Sequence, residues 1–199
     1  MSGQVSIFFL KVIFLWMATR YRFGESQLPH FITCTVINWI DVFSREQYKA
    51  IIIESLRYCI DAKGLNLHAW VIMSNHLHLI VSAKDEEKLA DIIRDFKKYT
   101  SKQIIKAIEN NQNESRREWL IWMFKRAGSR NENNKVYQFW IQDNHPIALF
   151  NKEIAGQKLE YLHQNPVRAG YVWSASDYKY SSSSDYSTEV EGLLSIEKL

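Results

Sequence analysis

Residues 71–82, VIMSNHLHLIVS, decide how the rest of the chain is read. Ser74 and Asn75 are turn residues, and the run after them reads as a short buried strand. Alternate side chains of a strand point to opposite faces. Leu77, Leu79 and Val81 then enter a core, while His76 and His78 stand side by side on the other face. Two imidazoles two apart on a rigid strand converge on one space and can hold one divalent metal. The competing reading is two histidines that merely decorate a sheet edge.

The chain has 199 residues, which suits one domain with an appendage. An apolar content of 46% is enough for a core, and seven Trp, ten Tyr and ten Phe suit either dense packing or base stacking. A net charge of +3 is too small to prove a nucleic-acid partner. Cys34 and Cys59 form no CxxC, so a disulfide framework or cysteine zinc site is not expected; a reducing cytoplasm fits. The apolar run 7–18 is too short for a membrane span and lacks the flanks of a signal peptide. We expect residues 1–24 to form an arm, with Met17 as an alternative start. The main domain is expected over 25–185 and a tail over 186–199.

Residues 30–37 (HFITCTVI) read as a first strand. Ser44 and Gln47 have the spacing of a capping box, followed by a helix to about residue 62 that Lys63-Gly64 stops. Residues 65–73 form a second strand, paired through the Ser74-Asn75 turn with 76–82. A long helix over 86–110 places Leu89, Ile92, Ile93, Phe96, Thr100, Ile104 and Ile108 on one stripe. Arg94, Lys98, Lys102 and Lys106 line its other side, with Lys97 beside them; this is either a solvated face or a ridge that tracks phosphates. A short helix follows over 114–126, then a polar loop to 135, a fourth strand over 136–142 and a helix over 149–164. The serine-rich tail from Asp177 reads as mostly extended. Trp70, Trp119, Trp122 and Trp140 are expected in the core, His68 in a structural role, and His30 and His145 at turns or edges.

On the last long helix, Ala155, Leu159 and Leu162 share a core-facing row. Tyr161 and Asn165 are four apart and lie together on a neighbouring, more polar face, with Lys158 one turn earlier. That geometry lets Asn165 offer an amide oxygen to a metal while Tyr161 stands beside it.

The sequence AWVIMSNHLHLI (69–80), then Phe96-Lys97-Lys98, Phe139-Trp140, YLHQNPVRAG (161–170) and YKYSS (178–182), resembles the REP-associated tyrosine transposases. These are single-strand transposases with a His-hydrophobic-His motif. The resemblance runs over about residues 30–185 and is specific in the combination of His-Leu-His with Tyr-x-x-x-Asn-Pro-Val. It implies an α+β fold, a ferredoxin-like antiparallel sheet with helices packed on it and the histidine pair on a central strand. It further implies Tyr161 as nucleophile, His76, His78 and Asn165 as ligands of Mg²⁺ or Mn²⁺, and hairpin-forming single-stranded DNA as substrate, joined through a 5′-phosphotyrosine. Lys97, Lys98, Lys102 and Arg168 are the expected nucleic-acid contacts. His163, two residues after Tyr161, is turned about 200° around the helix and reads as a flank. The family's members act as homodimers or monomers, and no membrane is involved. Two other functions stay in view: a zinc hydrolase using the histidine pair, and a nucleic-acid-binding protein that does not cleave.

Overall fold

In the computed structural model, residues 25–130, 136–188 and 192–199 are described. The expected arm and the alternative start at Met17 lie outside them. The chain runs β1 (His30–Thr35), α1 (Glu46–Ala62), β2 (Leu65–Ile72), β3 (His76–Ala83), α2 (Leu89–Asn110), α3 (Arg117–Ser129), β4 (Ile147–Ala148) and α4 (Lys152–His163). Two short helices, α5 (Asn165–Arg168) and α6 (Ser183–Ser187), follow. The sheet order is β2-β3-β1-β4 and each neighbouring pair is antiparallel. With one helix between β1 and β2 and others between β3 and β4, this is the ferredoxin-like α+β arrangement. None of the helices among the described residues is long and apolar enough to cross a membrane.

The pleat divides the apolar residues between two layers. Ile32 and Cys34 of β1, and Leu77, Leu79 and Val81 of β3, meet Ile52 and Leu56 of α1 and Ile93 and Phe96 of α2. Phe31, Val71 and Ile80, from the opposite face, meet Leu149 and Leu162 beside α4. Alternation along β3 therefore sends its leucines to one helix layer and its histidines toward the other. Register fixes the neighbours of the pair: Thr35 lies opposite His76, and Thr33 opposite His78.

Several local expectations are corrected. The helix after Ser44 does not form the capping box; Arg45 is its N-cap without a side-chain bond, and the Ser44 hydroxyl donates to the Asp41 carbonyl at 2.8 Å. A 3-10 turn over Val42–Ser44 takes Ser44 out of the capping position. Residues 136–142 are not a strand. They make a single bridge, Trp140 to Val36, because the consecutive residues Phe139 and Trp140 are both buried, which a pleated strand cannot achieve on one face. The fourth strand is instead Ile147–Ala148, paired with Phe31 and His30. Trp70 and Trp140 are core residues, but Trp119 and Trp122 are exposed, because Leu120 and Phe124 form the buried row of α3.

The serine-rich segment from Asp177 is not mostly extended: it leaves a 3-10 turn at Ala175–Asp177 and forms the helix α6. The N–H of Ile72 donates to the Tyr180 carbonyl and the N–H of Ser182 to that of Trp70, so this segment covers the open edge of β2. Covering an edge strand satisfies its backbone groups and blocks unwanted pairing. Residues past Gly192 return to the same edge: the Glu197 N–H donates to the Leu67 carbonyl, and Leu194 is buried. His68 is held here, between the Glu197 carbonyl at 2.7 Å and the Ser82 hydroxyl at 2.9 Å, in the structural role expected of it. His30 lies on β1 and is fully buried, with Nδ1 on the Leu28 carbonyl, while His145 is exposed in a left-handed turn at φ 43°.

Candidate active site

His76 and His78 project from β3 with ring centroids 4.8 Å apart. Each ring has its Nδ1 occupied. Asn75 Oδ1 accepts from Nδ1 of His76 at 2.6 Å, and the Thr33 hydroxyl lies 2.8 Å from Nδ1 of His78. The amide of Asn75 is oriented by its other end, which donates to the Trp39 carbonyl at 3.3 Å. The Asn75 oxygen on Nδ1 of His76 places the proton there and leaves Nε2 with a free lone pair, the form that binds metal; the Thr33 hydroxyl, able to accept or donate, allows the same form at His78. Burial favours the same neutral state. It pushes His76 down to about 4, and His78 to about 3, where His76, Arg168 and Lys158 add to the effect of burial.

Tyr161 reaches this pair from α4. Its ring lies edge-on to His78 with centroids 5.5 Å apart, and edge-on to Phe31 at 5.9 Å. Phe31 in turn stacks on His78 at 5.1 Å. The phenol is 43% exposed, so it is accessible from solvent. Two cations flank it: the Arg168 guanidinium is 4.5 Å from the ring centroid and the Lys158 ammonium 5.8 Å. Tyr161 and His78, distant in sequence, thus meet within one chain.

Helix α4 is seated by residues next to Tyr161. Asn151 caps its start, accepting from the Ile154 N–H at 2.8 Å. Leu162 is buried in the sheet, and His163 is also buried, with Nε2 3.0 Å from the Ser182 hydroxyl. His163 therefore flanks Tyr161 in sequence and anchors the opposite side of the helix. The helix ends at His163, one residue earlier than expected, and Pro166 lies in the first turn of α5. Asn165 and Arg168 both donate to the Tyr161 carbonyl, which closes the break between the two helices. No hydrogen bond joins Asn165 to either histidine.

The lysines divide. Lys97 is not available to a phosphate: its ammonium donates to the Ile141 carbonyl at 2.6 Å, the Gln142 carbonyl at 3.3 Å and Asn144 Oδ1 at 2.6 Å. It pins the segment that failed to become a strand. Lys98 and Lys102 are exposed, but they lie on α2, across the sheet from α4. Arg168 stands at Tyr161. The sequence reading missed Thr33, Phe31, Trp39 and the site role of Lys158. Helical spacing of three from Tyr161 was a usable signal for Lys158; Thr33 required the β1–β3 register.

Two imidazoles facing one space could hold a divalent ion through Nε2, although imidazole is a commoner donor to transition-metal ions than to Mg²⁺; Asn165, the expected third ligand, has its amide nitrogen on the Tyr161 carbonyl. Among the described residues, no group of three His, Cys, Asp or Glu side chains is placed to hold a metal, so the usual zinc-hydrolase donor set is not formed there.

The structure of a REP-associated tyrosine transposase bound to a REP hairpin is similar in fold, with a TM-score of 0.59 and 17% identity over 89% of this chain and 90% of that one. A crystal structure of a proposed transposase from Deinococcus radiodurans r1 matches more weakly, with a TM-score of 0.44 and 14% identity over 72% of this chain and 94% of that one. No curated protein matches the sequence. Residues 26–126, which include the sheet strands β1 to β3 and both histidines but end before Tyr161, match the family described as "Transposase IS200 like". With half of its length matched in this way, the chain belongs to the IS200-like transposases.

Proposed function

We propose that this transposase cleaves and rejoins hairpin-forming single-stranded DNA through a covalent link between Tyr161 and a 5′ phosphate. The observation that carries the reading is the contact of the Tyr161 ring with His78, with Lys158 and Arg168 beside it. His76, His78 and Asn165 would hold Mg²⁺ or Mn²⁺. A bound divalent ion supplies charge that stabilises the crowded, negatively charged phosphate during displacement. Lys158 and Arg168 bind phosphate oxygens and hold the strand against Tyr161. The phenol oxygen forms a bond to phosphorus, the phosphorus–O3′ bond breaks, and the departing oxygen takes up a proton to become a 3′-hydroxyl. The phenol proton passes to water. Because a phosphoester is exchanged for a phosphoester, a second 3′-hydroxyl can reverse the step and restore a DNA linkage without a nucleotide cofactor. Tyr161 meets His78 of its own chain, which supports a reaction within one protomer, so a homodimer is not needed to complete the site. Lys98 and Lys102, on the other helix layer, are assigned only to flanking phosphates.

Phenol-to-phenyl replacement is the test. Tyr161→Phe should fold, bind a labelled hairpin oligonucleotide and form no covalent adduct on a denaturing gel in the presence of Mn²⁺. His76→Ala with His78→Ala should remove the metal-dependent adduct. An adduct that survives in the Phe protein refutes the nucleophile. Binding without any adduct in the wild-type protein would favour the non-cleaving alternative.

A further inference from the structure

Between β1 and α1 the backbone does something costly. Asn38 and Trp39 are consecutive and both left-handed, with φ of 53° and 54°. Glycine takes this conformation freely; a bulky aromatic residue rarely does. Strain of this kind persists only where surrounding contacts enforce it, and it concentrates at ligand sites. Here backbone bonds from the Trp39 N–H to the Val36 carbonyl and from the Ile40 N–H to the Ile37 carbonyl hold the turn, and Asn75 joins it to the site: its amide nitrogen donates to the Trp39 carbonyl while its oxygen holds Nδ1 of His76. One side chain therefore sets the histidine and the tryptophan together.

The result is an indole displayed beside the candidate metal site. The Trp39 ring contacts His76 edge-on, with centroids 5.7 Å apart and planes at 73°, yet the residue is 61% exposed. Packing does not account for this placement, since the core around Ile37 and Ile40 is complete without the indole. Lys158 and Arg168 at the same site complement a phosphate backbone. A rigid aromatic surface next to phosphate-binding cations is the arrangement that captures single strands, because every base has a face that stacks.

We infer that Trp39 is a stacking platform for a nucleobase of the single strand held at His76. The inference rests on the DNA-cleaving reading for its ligand class, but its test is independent of chemistry at Tyr161. In a Tyr161→Phe background, binding of an oligodeoxyadenylate carrying 2-aminopurine is followed by fluorescence and by anisotropy. Stacking on indole quenches 2-aminopurine. The Trp39-containing protein should quench on binding; Trp39→Ala should lose the quench and bind on the order of 10-fold more weakly. Trp39→Phe, which keeps a stacking face, should retain most of the affinity. Circular dichroism melts of both variants should match the parent, as expected for an exposed side chain.

Unchanged affinity and quench in the Ala protein overturn the inference. So does equal loss in the Phe and Ala proteins, which would assign Trp39 a backbone role, and so does the absence of any quench with the parent. A protein that binds and quenches but forms no adduct when Tyr161 is restored leaves the platform standing and defeats only the cleavage reading.

Discussion

Replacing Ser182 by alanine should loosen the seat of the tyrosine helix. The Ser182 hydroxyl is fully buried; it accepts from the Trp70 N–H at 2.9 Å and lies 3.0 Å from Nε2 of His163. Alanine removes both interactions, together with the hydroxyl's longer contact to the Trp70 carbonyl at 3.3 Å, while leaving almost no cavity. One backbone N–H on β2 and one ring nitrogen on α4 are then stranded away from solvent. An unsatisfied buried polar group costs about 1–3 kcal/mol. Two of them sum to about 2–6 kcal/mol, and the lower half of that range is expected because the Ser182 N–H still donates to the Trp70 carbonyl. The assay is equilibrium urea unfolding followed by tryptophan fluorescence and far-ultraviolet circular dichroism. With a slope of about 2 kcal/mol per molar, the midpoint should fall by about 1–2 M at unchanged slope. A loss below about 0.5 kcal/mol would refute the reasoning, because it would mean that the two groups find other partners.

Stability should also fall with acid between pH 6.5 and about 4, since burial lowers His163 and His76 from 6.5 to about 4 and His78 lower still. In that window the unfolded chain binds more protons than the folded one, so protonation favours unfolding; above 6.5 the histidines are neutral in both states and contribute nothing. For His163 alone the loss is on the order of 3 kcal/mol, and urea midpoints measured across the window should show a shallower decline in His163→Gln. Lys97→Met should lower the melting temperature, because three acceptors at 141, 142 and 144 lose their shared donor, yet leave the salt dependence of DNA binding unchanged. A reduced salt slope in that variant would return Lys97 to the DNA-binding surface.

What could be read directly from the residues was whatever depends on period and local chemistry. The alternation of Leu77, Leu79 and Val81 with His76 and His78 required a two-sided strand, and the strand was found with its faces as expected. The stripe from Leu89 to Ile108 required an amphipathic helix, and those positions are buried, together with Ile105. The ferredoxin-like arrangement was implied by the resemblance to the tyrosine transposases, and the sheet order β2-β3-β1-β4 agrees with it. Residues 136–142 misled because β-branched and aromatic content also suits a core segment without a pleat; only the space beside Phe43, Phe124 and Thr100 decided that Phe139 and Trp140 both turn inward.

The site itself divides in the same way. Strand spacing singled out His76 and His78, whereas Tyr161, one of ten tyrosines, was singled out by the resemblance of Tyr-x-x-x-Asn-Pro-Val to the transposase motif. Their meeting was decided in three dimensions, by Leu162 and His163 packing α4 against the sheet. So were the partners that set tautomers and strain: Thr33 arrives through strand register, and Asn75 through a turn that touches Trp39. Lys97 and Lys98 are neighbours with similar spacing, yet one is bonded inward and the other faces water. Periodicity is a property of one element and survives in the linear code; a contact between elements depends on where several chains of packing end, which no single stretch encodes.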